Sequence, residues 1–229
     1  GPITFRMVNE AKQLQHLAVF KLTQGKTAAD FVAAIKKPGP PPAWMTFVGG
    51  PNGAGPGASS VATMTLEPGS YVLTCFVPSP GDDPTPHLMK GMVSAFTVTP
   101  SSAPAVQTTS DAAVRMSDYA FTFSRPLTAG HHELRVSNDA AQTHEMVLVK
   151  LAPGKTAADV ANWVDGGMKG PPPGMPIGGV SPLDHGRVAT ISVDLAAGRY
   201  GLICFAPDAK DGKPHNRHGM IHDFTVAAR

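Results

Sequence analysis

The chain has 229 residues, of which 42 % are hydrophobic and 16 % charged, a composition typical of packed globular domains rather than disordered chains. Its formal net charge of +2 is too small to indicate nucleic acid or an anionic membrane surface as a partner. No apolar run approaches the roughly 20 residues that a membrane-spanning helix needs, and the counts of 24 Gly and 23 Pro favour short strands joined by turns.

The sequence contains an internal repeat. "GKTAAD" occurs at 25–30 and at 154–159, an offset of 154 − 25 = 129, and "GSYVLTCF" (69–76) matches "GRYGLICF" (198–205) at the same offset. A repeat of this length predicts two tandem domains. We place domain 1 at 1–98, a polar, proline-containing linker at 99–113 and domain 2 at 114–229.

The predicted elements are similar in the two copies. In the first copy, Thr27 and Asp30 form a capping box that predicts a short helix, and Thr156 and Asp159 do the same in the second. Around the second helix we predict strands, with a glycine-rich irregular stretch after "GPPPG" (170–174); the predicted strands cover 131–138, 145–151, 187–195, 199–205 and 222–228. The pattern predicts an all-β fold, two antiparallel Greek-key β-sandwiches that each carry a short helix insert.

The start of the second copy has no counterpart in the first. "DYAFTFSRPLTAG" (118–130) predicts a first strand and turn, whereas Gly1 already aligns with Gly130. We therefore expect domain 1 to lack an N-terminal strand, and we expect a segment before Gly1 that could include a signal peptide or a membrane anchor.

The segment "CFAPDAKDGKPHNRHGM" (204–220) carries metal-binding side chains at close spacing. Cys204, His215 and Met220 follow the pattern Cys-x10-His-x4-Met, and His144 stands upstream at the start of a predicted strand. Two imidazoles, one thiolate and a weak axial methionine are the ligand set of a blue copper centre. The pattern therefore predicts a copper site in domain 2.

These motifs resemble those of the cupredoxins. "PHNRHGM" is similar to the Pro-His-x-x-x-Gly-Met segment of plastocyanin-like domains, "CFAP" with the following His and Gly-Met resembles the type 1 copper domain of copper nitrite reductases, and "HEMVL" resembles the upstream histidine strand. The resemblance implies type 1 copper, transfer of single electrons, and a periplasmic or extracellular location. It also implies a redox protein or a membrane complex as the partner.

The sequence departs from the cupredoxin pattern in two places, and these departures bear on whether the protein is an enzyme. The Cys–His loop is longer than in small blue-copper proteins. The residue before the cysteine is Ile203 in the second copy and Thr74 in the first, where multicopper oxidases and nitrite reductases have a bridging histidine. We therefore expect an electron carrier or a structural subunit rather than an enzyme.

The first copy retains only part of the pattern. Cys75, His87 and Met92 keep the spacing Cys-x11-His-x4-Met, but the position equivalent to His144 is Gln15. His16 comes one residue later, and strand alternation sends it to the opposite face unless a bulge intervenes. We therefore expect a degenerate site in domain 1. The alternative for the whole chain is a copper-free scaffold or an interaction subunit of a membrane redox complex.

The sequence argues against nucleotide binding and against a disulfide. "GKTAAD" lacks the upstream glycine of a phosphate-binding loop, so nucleotide is not expected as a ligand. Cys75 and Cys204 could form one disulfide by count, but they occupy equivalent positions of two domains and would need to approach within about 7 Å. We expect both cysteines to be free.

Overall fold

The computed structural model describes residues 1–37, 39–101 and 108–228. The predicted linker at 99–113 therefore lies partly outside the described residues, and its last two residues belong to a strand. The elements in these ranges are β1 (Pro2–Val8), β2 (Ala18–Leu22), α1 (Ala28–Ile35), β3 (Met45–Gly49), β4 (Ser59–Thr65), β5 (Gly69–Thr74), β6 (Val93–Val98), β7 (Ala112–Ser117), β8 (Ala120–Phe123), β9 (Gly130–Asn138), β10 (His144–Leu151), α2 (Ala157–Asp165), β11 (Gly174–Leu183), β12 (Val188–Leu195), β13 (Gly198–Ile203) and β14 (Ile221–Val226).

The strands form two sheets, and each sheet contains strands from both repeats. The six-stranded sheet has the order β1-β4-β12-β9-β7-β8, and the eight-stranded sheet has the order β14-β13-β10-β11-β3-β2-β5-β6. One apolar core between the sheets takes side chains from both repeats, among them Met64 and Ile191. The predicted fold class is confirmed as an all-β sandwich with one short helix in each repeat.

An internal two-fold relation joins the repeats. Ala62 on β4 lies opposite Ile191 on β12 in an antiparallel pair. In the other sheet, Pro51 bridges Val180, also antiparallel. Both pairs are separated by the repeat offset of 129 residues. Equivalent residues therefore meet on one pseudo-two-fold axis, and both sheets continue across it.

Local sequence explains the two helices. Thr27 and Asp30 form a capping box at the start of α1, and Thr156 and Asp159 form one at α2, which confirms both predicted starts. Each helix packs on the outer face of the eight-stranded sheet. The approach of α2 is so close that a Cβ at Gly201 would lie 2.6 Å from the Cβ of Ala157.

The stretch after "GPPPG" differs from the expectation. It forms the ten-residue strand β11 rather than an irregular segment. Gly179 has a φ of +126°, and a Cβ there would lie 1.9 Å from the Met146 carbonyl oxygen. The equivalent Gly50 would place a Cβ 1.9 Å from the Leu17 carbonyl oxygen. These glycines therefore permit close approach of backbones within a sheet. Because glycine is also common in turns, the sequence pattern predicted an irregular segment here instead of a strand.

The outer ends of the two repeats differ. In the second repeat, β7 pairs in parallel with β9, and β8 pairs with β7. In the first repeat, β1 forms the edge of the six-stranded sheet. Consequently Phe5 is only partly buried, whereas Leu134, its equivalent on β9, is fully buried.

Two further findings concern the whole of the described chain. Cys75 and Cys204 are both free and buried, as expected. None of the helices described is long and apolar enough to cross a membrane.

Candidate metal centre

Three adjacent strands of the eight-stranded sheet bring the second-repeat residues together. β13 pairs with β10 on one side and with β14 on the other. His144 begins β10, Cys204 follows the last residue of β13, and Met220 precedes the first residue of β14. Because all three strands are antiparallel neighbours, these three residues lie at the same end of the sheet.

The ten-residue loop after Cys204 closes back on its own start. The His215 N–H donates to the Ala206 carbonyl oxygen (2.9 Å), and the Asn216 N–H donates to the Cys204 carbonyl oxygen (2.8 Å). A 3-10 turn at His215–His218 ends at Gly219, whose φ of 93° is left-handed. The Met220 N–H then donates to the His215 carbonyl oxygen (3.0 Å). These bonds fix His215 and Met220 beside Cys204.

The distances within the group suit a metal ion. Cys204 Sγ lies 3.8 Å from His144 Nδ1 and 3.5 Å from His215 Nδ1. Metal–nitrogen and metal–sulfur bonds of about 2.0–2.3 Å in a trigonal plane place their ligand atoms about 3.5–3.9 Å apart. His144, Cys204 and His215 are fully buried, as is Met220. The residues therefore fit a trigonal N₂S site with methionine nearby.

The protonation states also fit. Burial and, to a smaller extent, the neighbouring His144 lower the pKa of His215 to about 4. Burial likewise lowers the pKa of His144, with Asp118 opposing the shift. Both rings are therefore neutral near pH 7 and offer nitrogen lone pairs. Burial raises the pKa of the Cys204 thiol, and the Glu145 carboxyl raises it further, so metal binding must release the thiol proton.

Outer contacts orient the two imidazoles. Asp118 accepts a hydrogen bond from His144 Nε2 at 2.7 Å, which leaves Nδ1 to face the sulfur. His215 Nε2 has no hydrogen-bond partner among the described residues and lies 3.7 Å from Asp208 Oδ2. The Tyr119 hydroxyl donates to that same carboxylate oxygen at 2.5 Å. Residues of the β7–β8 hairpin region therefore complete the wall of the second-repeat site.

The first repeat brings together only part of its predicted set. Cys75 and His87 are buried, with Sγ and Nδ1 3.5 Å apart. Gln15 Oε1 lies 3.0 Å from His87 Nδ1, and Gln13 Oε1 lies 2.8 Å from His87 Nε2. Within the described ranges, a His–Cys–His group of metal-binding size occurs around Cys204 and not around Cys75.

Met92 and His16 do not complete the first-repeat site. Met92 is 41 % exposed, whereas its equivalent Met220 is 0 % exposed. His16 Nε2 accepts a hydrogen bond from the Phe76 N–H (2.8 Å), and only the His16 backbone N–H reaches Cys75 Sγ (3.5 Å). The imidazole of His16 is therefore bonded beside the cysteine backbone rather than to the sulfur.

A second group with metal-ligand character lies on the Cys–His loop and the 3-10 turn that follows it. It consists of Asp208, Asp211 and His218, of which the last two are exposed. Its carboxylates already accept hydrogen bonds from the N–H groups of Lys210 and Lys213. Local loop structure accounts for this group.

Sequence reasoning missed three residues around the second-repeat site. Asp118 contacts a histidine 26 residues away, and Asn52 contacts Glu145, which is 93 residues away. Glu145 carried one sequence signal, since a charged residue inside the apolar strand "HEMVLVKL" needs a buried partner. The sequence did not indicate which partner that is.

Comparisons with known proteins give similarities of fold. No protein-family model and no curated protein sequence matches the chain. Among solved structures, auracyanin B is 22 % identical with a TM-score of 0.35, covering 53 % of this chain and 93 % of its own. Auracyanin from the photosynthetic bacterium Roseiflexus castenholzii is 23 % identical with a TM-score of 0.33, covering 50 % and 94 %. A copper-containing nitrite reductase from Thermus scotoductus is 12 % identical with a TM-score of 0.27, covering 100 % and 52 %.

All three TM-scores lie below 0.5. The function proposed below therefore rests on the geometry of the site.

Proposed function

We propose that the second repeat binds a type 1 copper ion and that the protein carries single electrons. The observation that carries this proposal is the position of Cys204 Sγ, 3.5 and 3.8 Å from two buried imidazole nitrogens. The three ligand atoms are all buried and lie within 4.8 Å of one another, which suits three ligands of one ion. Met220 is buried at the same end of the sheet and would supply a weak thioether ligand.

The chain's own residues prepare this site for one-electron chemistry. Copper, when bound, supplies a Cu(I)/Cu(II) couple that N₂S ligation supports in both states. Asp118 holds His144 in the tautomer that directs Nδ1 inward, and burial keeps water from the ligands. The strand ends and the bonded loop fix the ligand positions, so little rearrangement accompanies a change of charge.

An electron carrier is favoured over an enzyme by the residue that precedes the cysteine. Ile203 is fully buried in a separate apolar cluster with α2, where it packs with Val147 and Val160. No ligand for a second copper ion is available at that position. We extend the proposal to an extracytoplasmic location and to a redox protein or membrane complex as partner, which the sequence resemblance to cupredoxins supports.

A copper-free role is favoured for the first repeat. Both ring nitrogens of His87 lie within hydrogen-bond distance of glutamine oxygens, from Gln15 and Gln13. Two amide oxygens in place of an imidazole make a poor site for Cu(I). We therefore propose that the first repeat is a scaffold for the second and a surface for interaction.

The proposal is tested by loading the purified protein with copper(II). The expected result is one copper per chain and an intense blue thiolate-to-copper absorption band. Cys204→Ser should abolish the band, and the matched Cys75→Ser should retain it. A colourless wild-type protein without stoichiometric copper would contradict the proposal, and loss of colour in Cys75→Ser alone would place the site in the first repeat.

A further inference from the structure

A polar contact crosses the internal two-fold axis close to the copper site. Asn52 lies between β3 and β4 of the first repeat and is 2 % exposed. Its Nδ2 donates to Glu145 Oε2 at 2.9 Å and to the Val180 carbonyl oxygen at 3.2 Å, while its Oδ1 accepts from the Gly53 N–H at 2.8 Å. Two of these three bonds reach the second repeat, and the amide also bonds the His16 side chain of the first repeat.

Glu145 carries this contact to the cysteine. It is 6 % exposed and follows His144 in the chain. Its Oε1 accepts from the Phe205 N–H at 3.2 Å, and its own backbone N–H donates to Cys204 Sγ at 3.4 Å. The Glu145 side chain thus bonds both Asn52 and Phe205, and the Glu145 backbone N–H is the donor to the sulfur.

We propose that Asn52 of the first repeat is a positioning residue for the copper site of the second repeat, acting through Glu145 on the Cys204 thiolate. This inference rests on the proposed copper function. Hydrogen bonds around the cysteine sulfur tune the potential of blue-copper sites, and a buried carboxylate keeps one orientation only while its oxygens have donors. Asn52 supplies the donor for Oε2.

The internal repeat provides a matched position. Ser181 lies 129 residues after Asn52 and is fully buried on the same axis. Its hydroxyl lies 3.4 Å from the Pro51 carbonyl oxygen rather than beside Glu145. A substitution at Ser181 therefore removes a buried polar group from this interface without removing a contact to Glu145, whereas a substitution at Asn52 removes both.

The test compares Asn52→Leu with Ser181→Ala. In metal-free protein, amide hydrogen exchange at Glu145 and Phe205 should quicken about fivefold in Asn52→Leu, the factor that corresponds to a hydrogen bond of about 1 kcal/mol. In copper-loaded protein, Asn52→Leu should shift the blue band and lower the reduction potential, because a sulfur that accepts a weaker hydrogen bond donates more charge to copper(II). Ser181→Ala should show neither change.

A swap of donor and acceptor provides the rescue. Asn52→Asp combined with Glu145→Gln reverses the polarity of the contact to residue 145 but loses the bond to the Val180 carbonyl oxygen, so it should return the exchange rates part of the way to wild type. The proposal is overturned if Asn52→Leu matches Ser181→Ala in exchange, or if exchange quickens while band and potential stay at wild-type values. A wild-type protein that binds no copper would instead overturn the proposed function, and exchange would then decide alone whether Asn52 anchors Glu145.

Discussion

Replacement of Asp118 by alanine should weaken copper binding about tenfold. The Asp118 carboxylate accepts from His144 Nε2 at 2.7 Å, and His144 is fully buried, so the change leaves a buried donor without its partner. An unpaired buried donor costs about 1–3 kcal/mol, and loss of a carboxylate behind a metal-bound histidine typically costs 10–100-fold in affinity. The Asp118 side chain is 39 % exposed, so water can take over part of its role. We therefore expect the lower end of that range.

The assay is competition for copper(II) between the protein and a chelating dye at pH 7. Asp118→Asn keeps an acceptor oxygen but loses the charge, so its affinity should fall between wild type and Asp118→Ala. Asp194→Ala is the matched control because it removes a carboxylate 3.0 Å from Nδ1 of the exposed His131. Unchanged affinity in Asp118→Ala, or an equal loss in Asp194→Ala, would refute this reasoning.

Three further outcomes follow from the structure. Gly179→Ala should lower the free energy of unfolding, measured by urea denaturation, by at least about 3 kcal/mol, because the φ of Gly179 is positive and a Cβ there would lie 1.9 Å from a carbonyl oxygen. The control Gly186→Ala, at a φ of +73° with no atom near the new Cβ, should lower it by only about 1 kcal/mol. Equal losses in the two variants would contradict the close contact at Gly179. Gln15→His restores the imidazole missing from the first repeat and should raise the copper content from one to two per chain by elemental analysis, whereas a content that stays at one would show that the exposed Met92 or the loop prevents binding. Burial lowers the pKa of His16 from 6.5 to about 4, so between these pH values the unfolded chain binds a proton at His16 and the folded chain does not. From pH 7 to pH 5 the free energy of unfolding of the wild type should therefore fall by about 2 kcal/mol more than that of His16→Gln. Equal falls in the two proteins would contradict a buried neutral ring.

Local signals made much of the fold predictable. The capping boxes at Thr27 and Thr156 start the two helices because each threonine and the aspartate three residues later satisfy each other's backbone donors. Alternating apolar residues located the strands that face a single core. The glycine-rich β11 escaped this reasoning because its glycines serve close packing across strands, which depends on partners distant in sequence.

The continuity of the sheets across the repeats could not be derived from the sequence. The repeat offset indicated two similar domains, but the antiparallel pairing of Ala62 with Ile191 depends on the shape of two strand edges. Nothing in the residues around either position distinguishes a strand edge that pairs with the other repeat from a strand edge that meets solvent. The same limit hid the contact between Asn52 and Glu145.

The grouping of His144, Cys204 and His215 was predictable because the ligand types and their spacing define a chemistry before any geometry is known. The structure brings these residues to within ligand distance of one another and places Gln15 beside His87 in the first repeat. The role of Asp118 was not predictable, since an aspartate in a hairpin is ordinarily a turn residue.

The central claim is that one copper ion is held by His144, Cys204 and His215, and anomalous diffraction from crystals of the copper-loaded protein tests it most directly. The account predicts a single strong copper peak within bonding distance of His144 Nδ1, Cys204 Sγ and His215 Nδ1, with Met220 beside it. A peak at Cys75, a peak at the Asp208–Asp211–His218 group alone, or no ordered copper in the protein would contradict it.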